Sequence, residues 1–587
     1  MKKVVNIATA DQLKDDVARR HTGDFYTPMP WVKAAHAALT DALGADWRKH
    51  YVVWDCCCGT GNLTRGYDFE ALYSSTLLQE DLELANAGEG ALQGITFQYD
   101  FLNDDVLLFE DIALRCKLRN RKPCIADFEG TKLMQQAQGL IQSLCDGKPL
   151  LFFINPPYGT ANNLKVVLSG ATQSKNEMAK TACNTLMIKE KLGAAAQQLY
   201  AQFIWRICRI AELFSGDVVL GMFSPTLFIT GGSFKGLRGV MQHLAFKQGF
   251  MLQASEFADV AGNWGIAFTI FEKTAESTHL GEVMLSVMQR EGDEIRSTGK
   301  KCLYNVDNAV SCSAWCKTTE PVELVDFVPM TSAVAYAESS KYGSYAKGAL
   351  GYYYNISNIV EKSNQNVFIV SNGCASGHGY QIMSENFKRV CVTFTARRLI
   401  TGRHSDWINW QDEFIAPNTE HKDYKRFEAD SIVYSLFNSK SNQAALRRVL
   451  HNGKLWDIRN EFFWLSTDRV KALAQAAGNA DVEQDILTCA DERYVYKLLS
   501  MGMPLSDTAK AVLQMAEVLL TDSFKYRQAF NAEHKDYCIN TWDAGWYQIK
   551  GVLKTYMPDE LKAFNELYTK FSDELRPMVY DLGFLRR

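Results

Sequence analysis

Pro149-Leu150-Leu151-Phe152-Phe153-Ile154-Asn155-Pro156-Pro157-Tyr158-Gly159 is an apolar run that stops at an asparagine and two prolines. The run is short and bulky, as in a strand buried on both faces. Neither proline has an N–H to give to a ladder, so the chain must leave the sheet at Asn155. In open α/β sheets ligands sit outside the carboxyl ends of the strands. Asn155 is therefore expected in a stiff loop at a ligand-facing edge.

The residue types define what such a loop can hold. The Asn155 side-chain carbonyl and the Pro156 backbone carbonyl both accept hydrogen bonds. Two acceptors side by side match the two protons of an exocyclic amino group, and Tyr158 offers a ring face to a planar base. The plain alternative is a strand ending in a proline turn, and the neighbouring strands decide between the two. Tyr51-Val52-Val53-Trp54-Asp55 is another short apolar run, and it enters Cys56-Cys57-Cys58-Gly59-Thr60-Gly61-Asn62. Glycines after a strand allow close backbone approach to a ligand. The third glycine of a dinucleotide fingerprint is missing, which disfavours a nicotinamide cofactor. Ser75 to Gln79 reads as a third strand running into Glu80-Asp81, and Asp81 lies 20 residues after Gly61. An acid at that spacing holds ribose hydroxyls in doubly wound sheets. Ile95 to Tyr99 reads as a fourth strand ending at Asp100-Phe101. Further strands at 217–223, 250–254 and 266–271, with a buried helix at 199–207, complete an α/β pattern ending near residue 290.

A length of 587 residues implies more than one domain, and 47% hydrophobic with 22% charged residues is a globular composition. The net charge of −4 means that any polyanion must be met by local basic patches. The 15 cysteines follow neither disulfide nor zinc spacing, so no metal is expected and the thiols read as reduced. No apolar run approaches the ~18 residues of a membrane span, and no signal peptide is read at the N-terminus, so a cytoplasmic protein is expected.

With these motifs in this order, the first half of the chain resembles the S-adenosylmethionine-dependent DNA amino-methyltransferases, specifically the adenine N6 group in its gamma arrangement. The resemblance implies a doubly wound, Rossmann-like methyltransferase sheet over residues 1–290. It makes Phe25, Tyr26, Thr27 and Pro28 the segment that closes over the methionine end of the cofactor. Asp55, Cys56, Gly59, Gly61 and Asn62 correspond to the glycine-rich motif, Asp81 to the ribose-binding acid, and Asp100 with Phe101 to the holder of the cofactor adenine. Asn155, Pro156, Pro157 and Tyr158 correspond to the catalytic motif, and Trp264 or Phe257 to the aromatic that stacks on the substrate base. The chain departs from the family in its three adjacent cysteines and in a long gap between Asp100 and Asn155, where an insertion is expected.

Residues 291–587 read as an α+β and helical DNA target-recognition region, helix-rich from about 468. Thr27-Pro28 reads as a helix start, with Thr27 as the cap. Lys388, Arg389, Arg397, Arg398 and Arg403, interleaved with Thr393, Phe394 and Thr395, read as a basic surface strand on double-stranded DNA, and Arg447, Arg448, His451, Lys454 and Arg459 as a second cluster. The expected activity is site-specific methylation of a flipped adenine, as in restriction–modification, by a monomer or a homodimer. RNA adenine, a protein glutamine amide, or DNA binding without catalysis are the competing readings.

Overall fold

The computed structural model describes residues 27–87, 91–159, 181–257, 264–292, 294–318, 320–330, 344–363, 366–374, 378–400, 407–478, 486, 488–489, 491–534, 539 and 541–586. The chain forms two compact units, 1–308 with 406–412, and 309–405 with 413–587. The first unit thus runs beyond the boundary expected near 290 and takes in a short piece of the second half of the sequence.

The first unit is built on a nine-stranded sheet. Its strands are β1 (Val52–Asp55), β2 (Ala71–Thr76), β3 (Ile95–Gln98), β4 (Leu150–Ile154), β5 (Val218–Pro225), β6 (Leu244–Gln253), β7 (Gly265–Lys273), β8 (Glu282–Glu291) and β9 (Glu294–Tyr304). They lie in the order β3-β2-β1-β4-β5-β7-β6-β8-β9. The first five are mutually parallel, and β7 runs antiparallel to both β5 and β6. The order 3-2-1-4-5 is that of a doubly wound α/β sheet, so the expected fold class is found.

Both faces of the centre are covered, and the side chains divide with the two-residue period of a strand. Val53, Leu151, Phe153 and Val219 pack with Trp31, Val32, Ala35 and Leu39 of helix α1 (Met29–Leu43). Trp54, Phe152, Ile154, Leu220 and Met222 pack on the other face. There they meet Phe109 and Ile112 of α3 (Val106–Leu118) and Ile204 and Ile207 of α4 (Leu199–Leu213). Between them in sequence, α2 (Gln79–Ala85) follows β2. A sheet covered in this way presents functional groups at its edges, and five parallel strands end at one of them.

Residues 407–412 are fixed to this unit by polar groups. Lys301 of β9, 5% exposed, pairs with Asp412 at 2.6 Å and donates to Asn409 at 2.8 Å. Thr226 is hydrogen-bonded to Gln411. Gly265 opens β7, and a Cβ there would stand 3.6 Å from the Trp407 ring.

The second unit carries a four-stranded sheet in the order β12-β10-β11-β13, from β10 (Gly351–Asn355), β11 (Val367–Val370), β12 (Tyr380–Ile382) and β13 (Ser441–Asn442). A two-stranded hairpin, β14 (Leu446–His451) and β15 (Lys454–Ile458), follows. Helices α5 (Phe387–Leu399), α6 (Tyr424–Phe437), α7 (Asp507–Glu533), α8 (Trp546–Tyr556) and α9 (Pro558–Leu575) make up most of the remainder. Among the described residues no helix is long and apolar enough to cross a membrane.

Removing Lys301 would leave Asp412 charged and buried. Lys301→Ala is expected to lower stability by ~3–5 kcal/mol, read as an earlier midpoint in urea unfolding. An unchanged midpoint would mean that the 406–412 segment is not held by this pair.

Candidate active site

Asn155 follows the last residue of β4, and its carboxamide is held from two sides. Its Nδ2 donates to Thr27 Oγ1 at 3.0 Å, and its Oδ1 accepts from the Tyr158 hydroxyl at 2.6 Å. Thr27 is 2% exposed and comes from a segment 128 residues away. It does not cap the helix as expected. Pro28 occupies the cap position and α1 begins at Met29, which leaves the Thr27 hydroxyl to meet Asn155. Phe25 and Tyr26 lie outside the described residues. Behind the loop, the Leu199 N–H that opens α4 donates to the Gly159 carbonyl at 3.2 Å.

Tyr158 lies edge-on to Trp264, with ring centroids 6.1 Å apart, and to Phe257, at 6.5 Å. Both expected aromatic positions are therefore beside the asparagine loop. They are not equivalent. Phe257 is 1% exposed and also meets Phe223 at 5.8 Å. Its ring belongs to the core, so of the two alternative positions it is the less open. Trp264 is only partly buried.

On the adjacent strand, Asp55 is 1% exposed. One carboxylate oxygen accepts the Cys57 N–H at 3.3 Å, while the other has no hydrogen-bond partner among the described residues. Burial pushes its pKa up to about 8. The loop then turns through two left-handed glycines, Gly59 (φ 50°) and Gly61 (φ 86°). A Cβ on Gly61 would lie 2.5 Å from the Leu92 side chain, so only glycine fits. The Cys58 N–H reaches back to the Ser75 carbonyl of β2 at 2.9 Å. Cys56 is buried beneath this turn, and Asn62 is half-exposed on it.

β2 ends at Thr76 rather than at Glu80, and Asp81 sits in the first turn of α2. It remains at the carboxyl edge of β2 and is 5% exposed. Asp100 follows β3 and organises its own loop, accepting the Leu102 N–H at 3.0 Å and the Asn103 amide at 2.7 Å. Phe101 differs from expectation. Its ring is 2% exposed, stacked on Phe203 at 5.1 Å and covered by the Arg206 guanidinium at 4.6 Å. The ring therefore packs in the interior rather than standing open at the sheet edge.

Three further residues hold these loops. Buried Arg206 of α4 donates to the carbonyls of Phe101 and Asp104 and to the Tyr99 hydroxyl. Arg65 ties the glycine loop to α2 through the carbonyls of Thr60 (2.7 Å) and Ala85 (3.0 Å). His36 of α1 lies 2.8 Å from the Leu63 carbonyl through Nε2 and receives Arg48 on Nδ1 at 3.1 Å. Those partners require a neutral ring protonated on Nε2, and burial lowers its pKa to about 4. An arginine inside the apolar run Leu199–Ile210 was the available signal for Arg206.

In the second unit the expected basic strand is helix α5, and every residue from Val390 to Arg397 is buried. Arg397 is 0% exposed and donates to Asn355 (2.6 Å), Ser363 (3.1 Å) and the Ile359 carbonyl (3.2 Å). It organises the core and cannot touch DNA. Arg398 is half-buried and donates to the Ser363 carbonyl at 2.7 Å. Lys388 pairs with Glu428 and Arg389 with Glu385. Arg403 lies outside the described residues. Arg447 donates to Asp543 at 3.3 Å, whereas Arg448 is exposed.

No family model matches the chain, and no curated protein matches it. Among solved structures, it is similar to the type ISP restriction–modification enzyme LlaBIII bound to DNA. That match has 11% identity and a TM-score of 0.37, over 70% of this chain and 39% of that one. A DrdV–DNA complex matches at 14% identity and a TM-score of 0.30, over 48% and 29% of the two chains. A putative class I S-adenosylmethionine-dependent methyltransferase from Listeria monocytogenes matches at 13% identity and a TM-score of 0.27, over 47% and 68%. The chain thus spans well under half the length of the two DNA complexes.

Two outcomes follow from the site and its surroundings. Because the folded state holds the Asp55 proton that the unfolded chain releases near pH 4, Asp55 makes stability fall as pH rises from about 4 through about 8. In thermal melts across that range, Asp55→Asn is expected to flatten the decline, and an identical decline in both proteins would contradict the assignment. Arg397→Ala strands several buried acceptors and is expected to destabilise the fold by about 3 kcal/mol or more. If instead it leaves the melting temperature unchanged and alters only DNA binding, the residue is not structural.

Proposed function

We propose that this chain is an S-adenosylmethionine-dependent methyltransferase acting on the 6-amino group of a flipped adenine in duplex DNA. The observation that carries the reading is the Asn155 carboxamide, fixed between Thr27 and Tyr158 at the carboxyl end of β4. It adjoins the glycine loop of β1, since β1 and β4 pair in register.

The residues at this edge fit the cofactor. The buried carboxylate of Asp55, one oxygen of which has no hydrogen-bond partner among the described residues, suits a polar ligand group. The tight turn at Gly61 brings backbone close to whatever lies above it. Asp81 stands at the carboxyl edge of the next strand for a ribose, and the Asp100 loop at the one after for a purine. When bound, S-adenosylmethionine supplies an electrophilic methyl group on a sulfonium.

The chain's own part is positioning and polarisation. An adenine inside the stack cannot reach the loop, so it must swing out of the duplex. The face of Tyr158, with Trp264 beside it, receives the ring. The Asn155 Oδ1 and the Pro156 carbonyl accept the two amino protons. Those bonds draw the nitrogen lone pair out of conjugation and stabilise the positive charge that develops as the new N–C bond forms. The Tyr158 hydroxyl and Thr27 keep the carboxamide from rotating, so the acceptor is in place before the base arrives. One amino proton then leaves to solvent. The second unit supplies target recognition in this reading.

Asn155→Ala is expected to reduce methyl transfer to DNA by about 100-fold or more, followed with radiolabelled cofactor. Cofactor affinity by calorimetry should stay near wild type. Turnover within a few fold of wild type would remove Asn155 from the chemistry.

A further inference from the structure

The hairpin β14–β15 is not explained by packing alone. It turns at Asn452 (φ 50°) and Gly453 (φ 71°), the left-handed pair that a two-residue hairpin needs. Its facing pairs are Val449 with Trp456, Leu450 with Leu455, and His451 with Lys454. Successive pairs point to opposite faces. Val449 and Trp456 are half-buried against the cluster of Val328, Met330, Tyr352, Val370, Cys374 and Ile458, which anchors the base of the ribbon. Leu450 and Leu455 point the other way, and each is 60% exposed. Two facing leucines on the outer face of an otherwise polar tip gain nothing from folding, since an exposed leucine forgoes roughly 1.5–3 kcal/mol of burial.

The charge around them is one-sided. From Leu446 to Arg459 the chain has four cations (Arg447, Arg448, Lys454, Arg459) and one acid, Asp457. Asp457 accepts the Arg448 backbone N–H at 2.8 Å. Arg447 is held at Asp543 and Arg459 at Glu461 (3.2 Å). Arg448 is exposed beside the slipped register, and Lys454, in register with buried His451, stands at the tip of the ribbon. Lys454 is 70% exposed, and its 4.0 Å approach to the equally open Asp326 is worth little. Arg448 is itself left-handed (φ 57°) and sits where the ladder slips register between Leu446 and Val449. A bulge of this kind re-aims the side chain it carries.

We propose that this hairpin enters a groove of duplex DNA, with Leu450 and Leu455 set against the base pairs and Arg448 and Lys454 on the flanking phosphates. A two-stranded ribbon fits the major groove, where apolar side chains can lie against the thymine methyl groups. The inference rests on the DNA reading given above and assigns its duplex contact to a surface other than the expected Arg397 and Arg398.

The test uses the full chain and fluorescence anisotropy on a duplex and on one of its single strands, over a range of salt. L450S/L455S is expected to bind the duplex about tenfold or more weakly, with an unchanged salt slope and unchanged single-strand affinity, because apolar contacts release no counterions. R448A/K454A should instead flatten the slope of log K against log salt by about 2, near 0.9 per phosphate contact. Duplex affinity in L450S/L455S equal to wild type overturns the hairpin assignment. So does a change in sedimentation coefficient of that variant, which would make the leucines a contact between protein copies. If the wild-type protein itself does not bind duplex, the DNA reading falls with it.

Discussion

The carboxamide of Asn155 cannot turn. Thr27 takes its nitrogen and Tyr158 donates to its oxygen, so one side chain joins the start of α1, the end of β4 and the loop beyond it. A side chain that must act as an acceptor at one point in space gains from such restraint, because the ordering is complete before a substrate arrives. The restraint depends on the sheet. β4 is buried along its whole length, and Pro156-Pro157 ends it abruptly. The asparagine is therefore the first residue of β4's chain free of the ladder.

The neighbouring loops are held by the same means, with buried or half-buried polar side chains serving backbone carbonyls. Arg206 secures the turn after β3, Arg65 the glycine loop against α2, and His36 the far end of that loop. A buried guanidinium or imidazole is costly unless its donors are used, so each of these residues fits one arrangement of its loop. Asp55 is the exception, a buried carboxylate at the same edge with one oxygen not used by any described residue.

Much of this edge was legible in the sequence. β1 and β4 were found because each is a short, bulky run closed by glycine or proline, and short loops fix where such runs must stop. β2 was read several residues late, since Leu77 and Leu78 extend the apolar pattern past the sheet, although Leu77 is 42% exposed. The resemblance implies a ligand role for Phe101, and its core partner Phe203 lies about a hundred residues away, where nothing local in the sequence announces it. Helix α5 is buried on all sides from Val390 to Arg397 and so carries no amphipathic stripe by which a sequence announces a helix. Its arginine then looked like surface charge. The hairpin of β14 and β15 was noticed for its arginines. The outward leucines became visible only once the register was known.

The central claim is that the Asn155 loop presents an adenine amino group for methylation. Base-resolution sequencing of duplex DNA incubated with the protein and S-adenosylmethionine tests it directly. The account predicts N6-methyladenine at one recurring sequence context, absent when cofactor is withheld. Unmodified adenine, with methyl groups found instead on cytosine, on RNA or on a protein glutamine, would contradict it.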